Sequence, residues 1–159
     1  MAELSHLDKT GAARMVDVSD KPVTAREAVA EGRVRMAPET LQKALSGNAK
    51  KGSVMAAAEF AGVMAAKRTA DLIPLCHQLP LSSIRLFIEP HEKNSALIVT
   101  ARAKTTAQTG VEMEALVAVS VACLTIYDML KAVDRAMVIE GVQLVEKHGG
   151  ASADYIRPR

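Results

Sequence analysis

The stretch TGVEMEALVAVSVACLTIYDMLK, residues 109–131, decides the fold of this chain. Thr109 is followed three residues later by Glu112, which matches a capping box and predicts a helix beginning near Gly110. Residues 115–127 carry no charge, and their apolar side chains fall on every side of a helical wheel. A helix of this kind must be covered nearly all round, so we expect a sheet on one side and another subunit on the other.

The composition is typical of one globular domain. The chain has 159 residues, of which 49% are hydrophobic and 24% are charged. This predicts a single domain over residues 1–159, with flexible segments at 1–13 and 149–159. A formal net charge of +2 is too small to imply nucleic-acid or membrane binding by its field alone. An aromatic content of 3% without Trp also disfavours base-stacking surfaces.

The sequence predicts a cytoplasmic location. The longest uncharged runs, 115–127 and 72–84, are shorter than the roughly 20 residues that a membrane span needs. The first residues are polar and lack the apolar core of a signal peptide. Cys76 and Cys123 suit a reducing compartment, so we expect both thiols to be free.

The rest of the chain divides into short elements. Residues 71–83 are apolar but interrupted by Pro74 and Pro80, which predicts a packed irregular segment. The order of the predicted helices and strands along the chain indicates an α+β, ferredoxin-like sandwich in which helices cover one face of a mainly antiparallel sheet. The predicted elements are a strand at 15–18, a helix from a capping box at 24–27 to residue 30, a strand at 34–36, helices at 38–45 and 53–69, a hairpin with strands at 84–89 and 96–105, the central helix, and a strand at 137–146.

Charged residues lie only near the two ends of the central helix. Glu112 and Glu114 are at its start, whereas Asp128 and Lys131 are near its end. Glu114 and Asp128 are therefore roughly 21 Å apart along the helix axis. A small substrate cannot reach both on one helix, so a site that uses both ends must be shared between subunits. The structural alternative is that Glu112 caps the helix and that Asp128 and Lys131 form a surface pair worth roughly 0.2–0.5 kcal/mol.

Several cations hint at a polyanionic ligand. Lys50 and Lys51 precede a helix N-terminus, where the macrodipole disfavours positive charge unless an anion is bound. The spaced glycines of a Walker loop are missing, and a solvated basic loop is an equally good interpretation. For Arg26 and the basic segment 147–150, a bound anion and simple solvation are likewise both open interpretations.

His77 lies beside Cys76 in the irregular segment. A zinc site is a poor explanation, because no second Cys or His lies at ligand spacing. A cysteine nucleophile with a histidine partner is also weakly supported. The favoured interpretation is a buried, hydrogen-bonded histidine, and a ligand-binding histidine is the second.

Four segments carry a resemblance to a known family: MVDVS at 15–19, MAAKRTADLIPL at 64–75, DLIPLCHQLPLS at 71–82 and TGVEMEALVAVSVACLTIYDMLKAV at 109–133. Together they resemble the molybdenum-cofactor biosynthesis protein C family over about residues 15–150. The resemblance implies a pyrophosphate-releasing lyase, cyclic pyranopterin monophosphate synthase, which acts on a cyclic dihydroguanosine triphosphate early in molybdenum cofactor biosynthesis.

The resemblance also implies an assembly and a set of site residues. It implies a ferredoxin-like homohexamer, a trimer of dimers with active sites at the dimer interface, and no metal or organic cofactor. No nucleic-acid or membrane partner is expected. Asp128 would be the catalytic acid or base, with Lys51 and Lys131 as catalytic partners. The implied substrate-binding residues are Leu75, Cys76, His77, Met113, Glu114, Glu112, Lys67, Arg26 and Lys147.

The apolar helix and the cations also fit two other functions. A non-catalytic ferredoxin-like module could use the apolar helix only to oligomerise, although it would leave Lys51 and the segment around His77 without a role. A nucleotide-binding regulator could hold a triphosphate without turnover. Turnover of the cyclic triphosphate distinguishes both from the enzyme.

Overall fold

A computed structural model describes residues 4–47 and 53–158 of the chain. A short 3₁₀ turn, Glu92–Asn94, joins the second and third strands. The helices and strands, in chain order, are β1 (Thr24–Arg35), α1 (Pro38–Leu45), α2 (Val54–Ala66), α3 (Thr69–Leu72), β2 (Leu81–His91), β3 (Ala96–Ala107), α4 (Glu112–Leu130), β4 (Val138–His148) and β5 (Tyr155–Ile156).

The strands of the described residues form one antiparallel sheet in the order β2-β3-β1-β4-β5. β1 pairs with β3 over its whole length, from Thr24 opposite Ala107 to Arg35 opposite Ala96. Its other edge pairs with β4. A central β1 and β3, with helical crossovers before β2 and before β4, is the split β-α-β arrangement of ferredoxin-like folds. The predicted fold class is confirmed.

α4 lies at the centre of the core. It packs on β1, β3 and β4 and on α2, and its residues Ala115, Val119 and Ile126 are fully buried. With 19 residues and a mean hydropathy of 1.7, α4 is long and apolar enough to cross a membrane by length and composition, but half of this apolar window is buried inside the fold. That burial is typical of a core helix. Leu124 is 57% exposed, so one chain does not cover α4 completely. Cover by another subunit stays a prediction.

α2 packs closely against α4 because its side chains are small. The Ser53 hydroxyl accepts a hydrogen bond from the Ala56 amide at 3.3 Å, as expected for the predicted N-cap. At Gly62, an added Cβ would overlap the end of the Leu86 side chain and lie 2.9 Å from the Ala118 carbonyl oxygen of α4. The helix ends at Ala66, earlier than predicted, and Thr69 begins the separate turn α3.

The helix predicted at residues 24–30 is wrong, because these residues form the first half of β1. Their Ala, Arg and Glu favour a helix locally, but pairing with β3 and β4 satisfies the backbone on both edges and outweighs that preference. The strand predicted at 34–36 is the end of the same β1. Opposite Gly32, β4 carries a bulge at which Gly141 has a φ of +65°, a conformation that suits glycine.

Two further differences from the predicted elements lie before β1 and after β4, while the flexibility of residues 1–13 and 149–159 stays a prediction. The strand predicted at 15–18 is wrong: this segment is irregular, and the Val16 carbonyl oxygen bonds to a side chain instead of a strand. Leu7 and Ala13 form an isolated β-bridge within the N-terminal segment. In the C-terminal segment, β5 pairs with Glu146 and Lys147 of β4.

Candidate active site

Three adjoining cavities surround the start of α4. The first, of about 250 Å³, lies between the irregular segment after α3 and the first turn of α4. The second, of about 190 Å³, shares His77 and Glu114 with the first and adds the end of α2. The third, of about 350 Å³, shares Glu112 and Gly110 with the first and adds residues from β1 and β4. Because neighbouring cavities share walls, they form one region.

All nine residues predicted to bind substrate line this region. They come from segments that are far apart in sequence, and the fold brings them to one end of one helix. Their role in binding stays a prediction. The nine are Leu75, Cys76, His77, Met113, Glu112 and Glu114 in the first cavity, Lys67 in the second, and Arg26 and Lys147 in the third.

Glu114 is the most unusual ionisable residue of the region. It lies in the first turn of α4, and only 4% of it is exposed. Burial raises the pKa of Glu114 to about 7. A hydrogen bond from its own backbone amide lowers that pKa, and the charge of Glu112 raises it. The Glu114 carboxyl can therefore gain or lose a proton near neutral pH.

The capping box predicted at Thr109 and Glu112 is wrong. α4 begins at Glu112, and Val111 occupies the N-cap position without a side-chain cap. The Glu112 carboxylate instead forms an ion pair with the Lys147 ammonium at 2.9 Å. Both side chains are about three-quarters buried, since each is 25% exposed. This pair ties the start of α4 to the end of β4.

Arg26 is fixed at the edge of the same region. Its Nε donates to the Ala107 carbonyl at 3.0 Å, and its Nη2 donates to the Gln108 carbonyl at 3.2 Å. Gly150 has a φ of +87° and lies so close to the guanidinium that an added Cβ would overlap it. The guanidinium is thereby held between the end of β3 and the C-terminal segment.

His77 and Cys76 both face the first cavity. His77 Nε2 lies 2.7 Å from the Val16 carbonyl oxygen. Because a carbonyl can only accept, Nε2 carries the proton of this bond. Burial raises the pKa of the Cys76 thiol, and the charge of Glu114 adds to this effect. His77 is thus a half-buried, hydrogen-bonded histidine that also lines the cavities, and its role in binding a ligand stays a prediction.

The other end of α4 carries the predicted catalytic residues. The Lys131 ammonium lies 2.7 Å from the Asp128 carboxylate, and both side chains are more than half exposed. Next to them, the Asp134 carboxylate accepts from the Ala37 amide at 3.0 Å and the Thr40 hydroxyl at 3.2 Å, which fixes this loop against the start of α1. Within one chain, Asp128 is roughly 21 Å from Glu114 along the axis of α4. Lys51 lies outside the described residues.

Some cavity residues had no role in the sequence prediction. Arg68 lines the second cavity, Lys21 lines the third, and His6 lines the first. The signal for His6 was present nearby: Asp8, Thr10 and Gly11 are typical turn residues and predict a local turn in the N-terminal segment.

Glu114→Gln is expected to flatten the dependence of stability on pH. The folded pKa of about 7 lies above the usual carboxyl value of 4.5, so the folded state keeps a proton that the unfolded state releases. The free energy of unfolding of the wild type should therefore fall as pH rises from about 5 to about 7. The variant should lack about 2 kcal/mol of this fall. Urea unfolding at pH 5 and at pH 8 measures it.

Glu59→Gln, at an exposed position of α2, is the control and should leave the profile unchanged. Parallel profiles for the wild type and Glu114→Gln would contradict the raised pKa.

The comparison with known proteins decides the family. The model of the MoaC family matches residues 15–150, which include both ends of α4. The chain belongs to the MoaC family.

Relatives of this MoaC-family chain include three proteins that carry the name cyclic pyranopterin monophosphate synthase. The protein of Thermomicrobium roseum is 59% identical over 157 residues, which cover 99% of this chain and 95% of the relative. The protein of a Methylobacterium species is 60% identical over 155 residues, with coverages of 98% and 97%. The protein of Magnetococcus marinus is 55% identical over 157 residues, with coverages of 99% and 96%.

Proposed function

We propose that this protein converts a cyclic dihydroguanosine triphosphate into cyclic pyranopterin monophosphate with release of pyrophosphate, in molybdenum cofactor biosynthesis. The observation that carries the proposal is the region at the start of α4, where a buried carboxyl with a pKa of about 7 lies between two groups of cations. The names of the similar proteins support the same reaction.

The cations suit a triphosphate. Lys67 and Arg68 lie in the second cavity, and Arg26, Lys21 and Lys147 lie in the third. Charge-assisted hydrogen bonds from such groups hold phosphate oxygens, and they stabilise the charge that develops on departing pyrophosphate. The first cavity lies between the two groups and combines apolar Leu75, Leu79 and Met113 with polar side chains, which suits a purine-derived ring.

The carboxyls suit the proton transfers of the reaction. Opening the purine and building the pyrano ring require protons to be removed and supplied several times. Glu114 can serve both directions near neutral pH because of its raised pKa. Glu112, paired with Lys147, stays positioned at the wall between the first and third cavities. In the proposal, Glu114 and Glu112 act on the ring while the cations hold the phosphates.

The proposed site is completed by a second subunit. Asp128, Lys131 and Lys51 are proposed as catalytic residues that enter from a partner chain, with Asp128 as acid or base. The separation of roughly 21 Å between Glu114 and Asp128 within one chain supports this arrangement, because a single substrate cannot span it. The proposed assembly is a homohexamer built as a trimer of dimers. The partly uncovered Leu124 of α4 supports an apolar contact between subunits.

The proposal also places the enzyme in the cytoplasm. The two cysteines, Cys76 and Cys123, are both free, which is typical of a reducing compartment. Cell fractionation with an antibody to the protein tests this part, and recovery with the membrane or outside the cell would contradict it.

Turnover of the substrate tests the function itself. Purified protein is incubated with the cyclic dihydroguanosine triphosphate, and pyrophosphate release and pterin fluorescence after oxidation are followed together. We expect both products to form in equal amounts. Tight binding of the triphosphate without either product would instead favour a nucleotide-binding regulator, and neither binding nor turnover would favour an assembly module.

Lys147→Met is expected to weaken substrate binding. The substitution removes a cation of the third cavity and leaves the Glu112 carboxylate without its ion-pair partner. We expect KM to rise by about tenfold or more, because a charge-assisted hydrogen bond contributes about 1.5–3 kcal/mol. Lys93→Met, in the exposed turn between β2 and β3, is the matched control and should leave KM unchanged. Equal KM values for wild type and Lys147→Met would remove Lys147 from the proposed site.

A further inference from the structure

The N-terminal segment contains a small ordered loop that the proposed function leaves without a role. Its turn is stabilised by Asp8, whose carboxylate accepts from the Thr10 amide at 2.8 Å, the Thr10 hydroxyl at 2.6 Å and the Ala12 amide at 3.0 Å. These hydrogen bonds lower the pKa of Asp8, so the carboxylate stays charged. Leu7 and Ala13 form a β-bridge across the loop. Residues 6–14 are therefore a closed hairpin loop.

This hairpin loop is held at the candidate site by the chain that follows it. The Val16 carbonyl lies 2.7 Å from His77 Nε2, and the Ser19 carbonyl accepts from the Gln108 side-chain amide at 3.1 Å. His77 lines the first cavity, and Gln108 lines the third. Two side chains at the site therefore fix the segment that carries the hairpin loop.

His6 is the residue that the hairpin loop contributes to the first cavity. It lines that cavity together with Cys76, His77, Glu112 and Glu114. Its Nδ1 lies 3.3 Å from the Arg14 carbonyl oxygen, and the His6 carbonyl accepts from the Arg14 amide at 2.8 Å. Because a carbonyl only accepts, Nδ1 carries the proton of this bond. Nε2 has no partner among the described residues and is the nitrogen left for a ligand.

We propose that His6 is a further substrate-binding residue, which hydrogen-bonds through Nε2 to the purine-derived ring in the first cavity, and that the hairpin loop of residues 6–14 positions its imidazole there. The proposal rests on the function proposed above. Its separate support is geometric. The Asp8 carboxylate holds the turn, hydrogen bonds to His77 and Gln108 fix the segment that follows it, and the His6 imidazole lines the first cavity. His6 also lies before the family match at 15–150, so that match does not assign it a role.

Four variants test the role of His6 in the turnover assay. His6→Leu keeps an apolar side chain of similar reach without a hydrogen-bonding group, and we expect KM to rise about tenfold while kcat changes less. His6→Gln places an amide near the position of Nε2 and should recover most of the loss. Asp8→Ala removes the hydrogen bonds that close the turn and should also raise KM. His91→Leu, at the exposed end of β2, is the control and should match wild type.

The outcomes separate the two proposals. If wild type turns over the substrate and His6→Leu keeps its KM, His6 has no binding role and the inference is overturned. If His6→Leu and His6→Gln raise KM equally, the side chain acts only through the folding of the loop, which also overturns it. If the wild type itself makes no product, the proposed function fails first and the role of His6 fails with it.

Discussion

Mixing two inactive variants, Glu114→Ala and Asp128→Ala, is expected to restore about a quarter of wild-type turnover. Each variant alone should lose at least about 100-fold in turnover, the usual size of a lost acid–base group. Each proposed site takes Glu114 from one chain and Asp128 from its partner. In a mixed dimer, one site therefore carries both substitutions, and the other has an intact Glu114 and an intact Asp128. Random pairing of equal amounts makes about half of all dimers mixed, and each mixed dimer has one working site of two.

The experiment requires chains that meet during folding, so the two variants are co-expressed with different tags, the presence of both tags in one oligomer is verified, and the unselected pool is assayed. Glu114→Ala paired with His77→Ala is the matched control, because both residues lie at the same end of α4. Every site in that mixture carries one lesion, so no activity should return. Equal recovery in both mixtures, or none in either, would contradict a site shared in this way.

Gly62→Val is expected to lower the free energy of unfolding by about 3 kcal/mol or more. The new Cβ would lie 2.9 Å from the Ala118 carbonyl oxygen and would overlap the Leu86 side chain. Leu86 could change its rotamer, but the carbonyl belongs to the backbone of α4 and cannot move alone. The two helices would have to separate, which would loosen the packing of α4 on the sheet. Urea unfolding followed by circular dichroism measures the change.

Ala56→Val is the control for the helix propensity of valine, because Ala56 is an exposed position of the same α2. It should cost less than about 1 kcal/mol. A cost for Gly62→Val equal to that of the control would show that the contact between α2 and α4 is not tight at this position.

The parts of the fold with a strong local pattern could be predicted from the sequence. The uncharged run at 115–127 predicts the buried α4, and the alternation on both sides of the 92–94 turn predicts the hairpin of β2 and β3. Ser53 predicts the start of α2 by its hydroxyl. In each case the pattern that predicts the element lies within it or directly beside it, although tertiary packing supplies most of its stability.

The parts fixed by distant partners could not be predicted. Residues 24–30 read as a helix because pairing of β1 with β3 and β4 is invisible locally. At the start of α4, Glu112 forms an ion pair with Lys147, a residue far along the chain in β4. The proposed site residues were named by family resemblance, whereas their convergence depends on the order of the strands. For His6, the turn residues Asp8, Thr10 and Gly11 indicate a local turn, but nothing in the sequence places that turn beside the first cavity.

α4 has a consequence for how this protein can change in length. Insertions are tolerated where a loop can absorb them, but α4 is a single uninterrupted helix of 19 residues with its charged groups at both ends. One residue added anywhere between Glu114 and Asp128 would turn the far end about 100° around the axis. Under the proposed assembly, Asp128 would then lose its alignment with the partner's cavity, and the buried residues of α4 beyond the insertion would be turned relative to the sheet. Catalysis in that assembly therefore depends on the number of residues between Glu114 and Asp128 as well as on the side chains themselves.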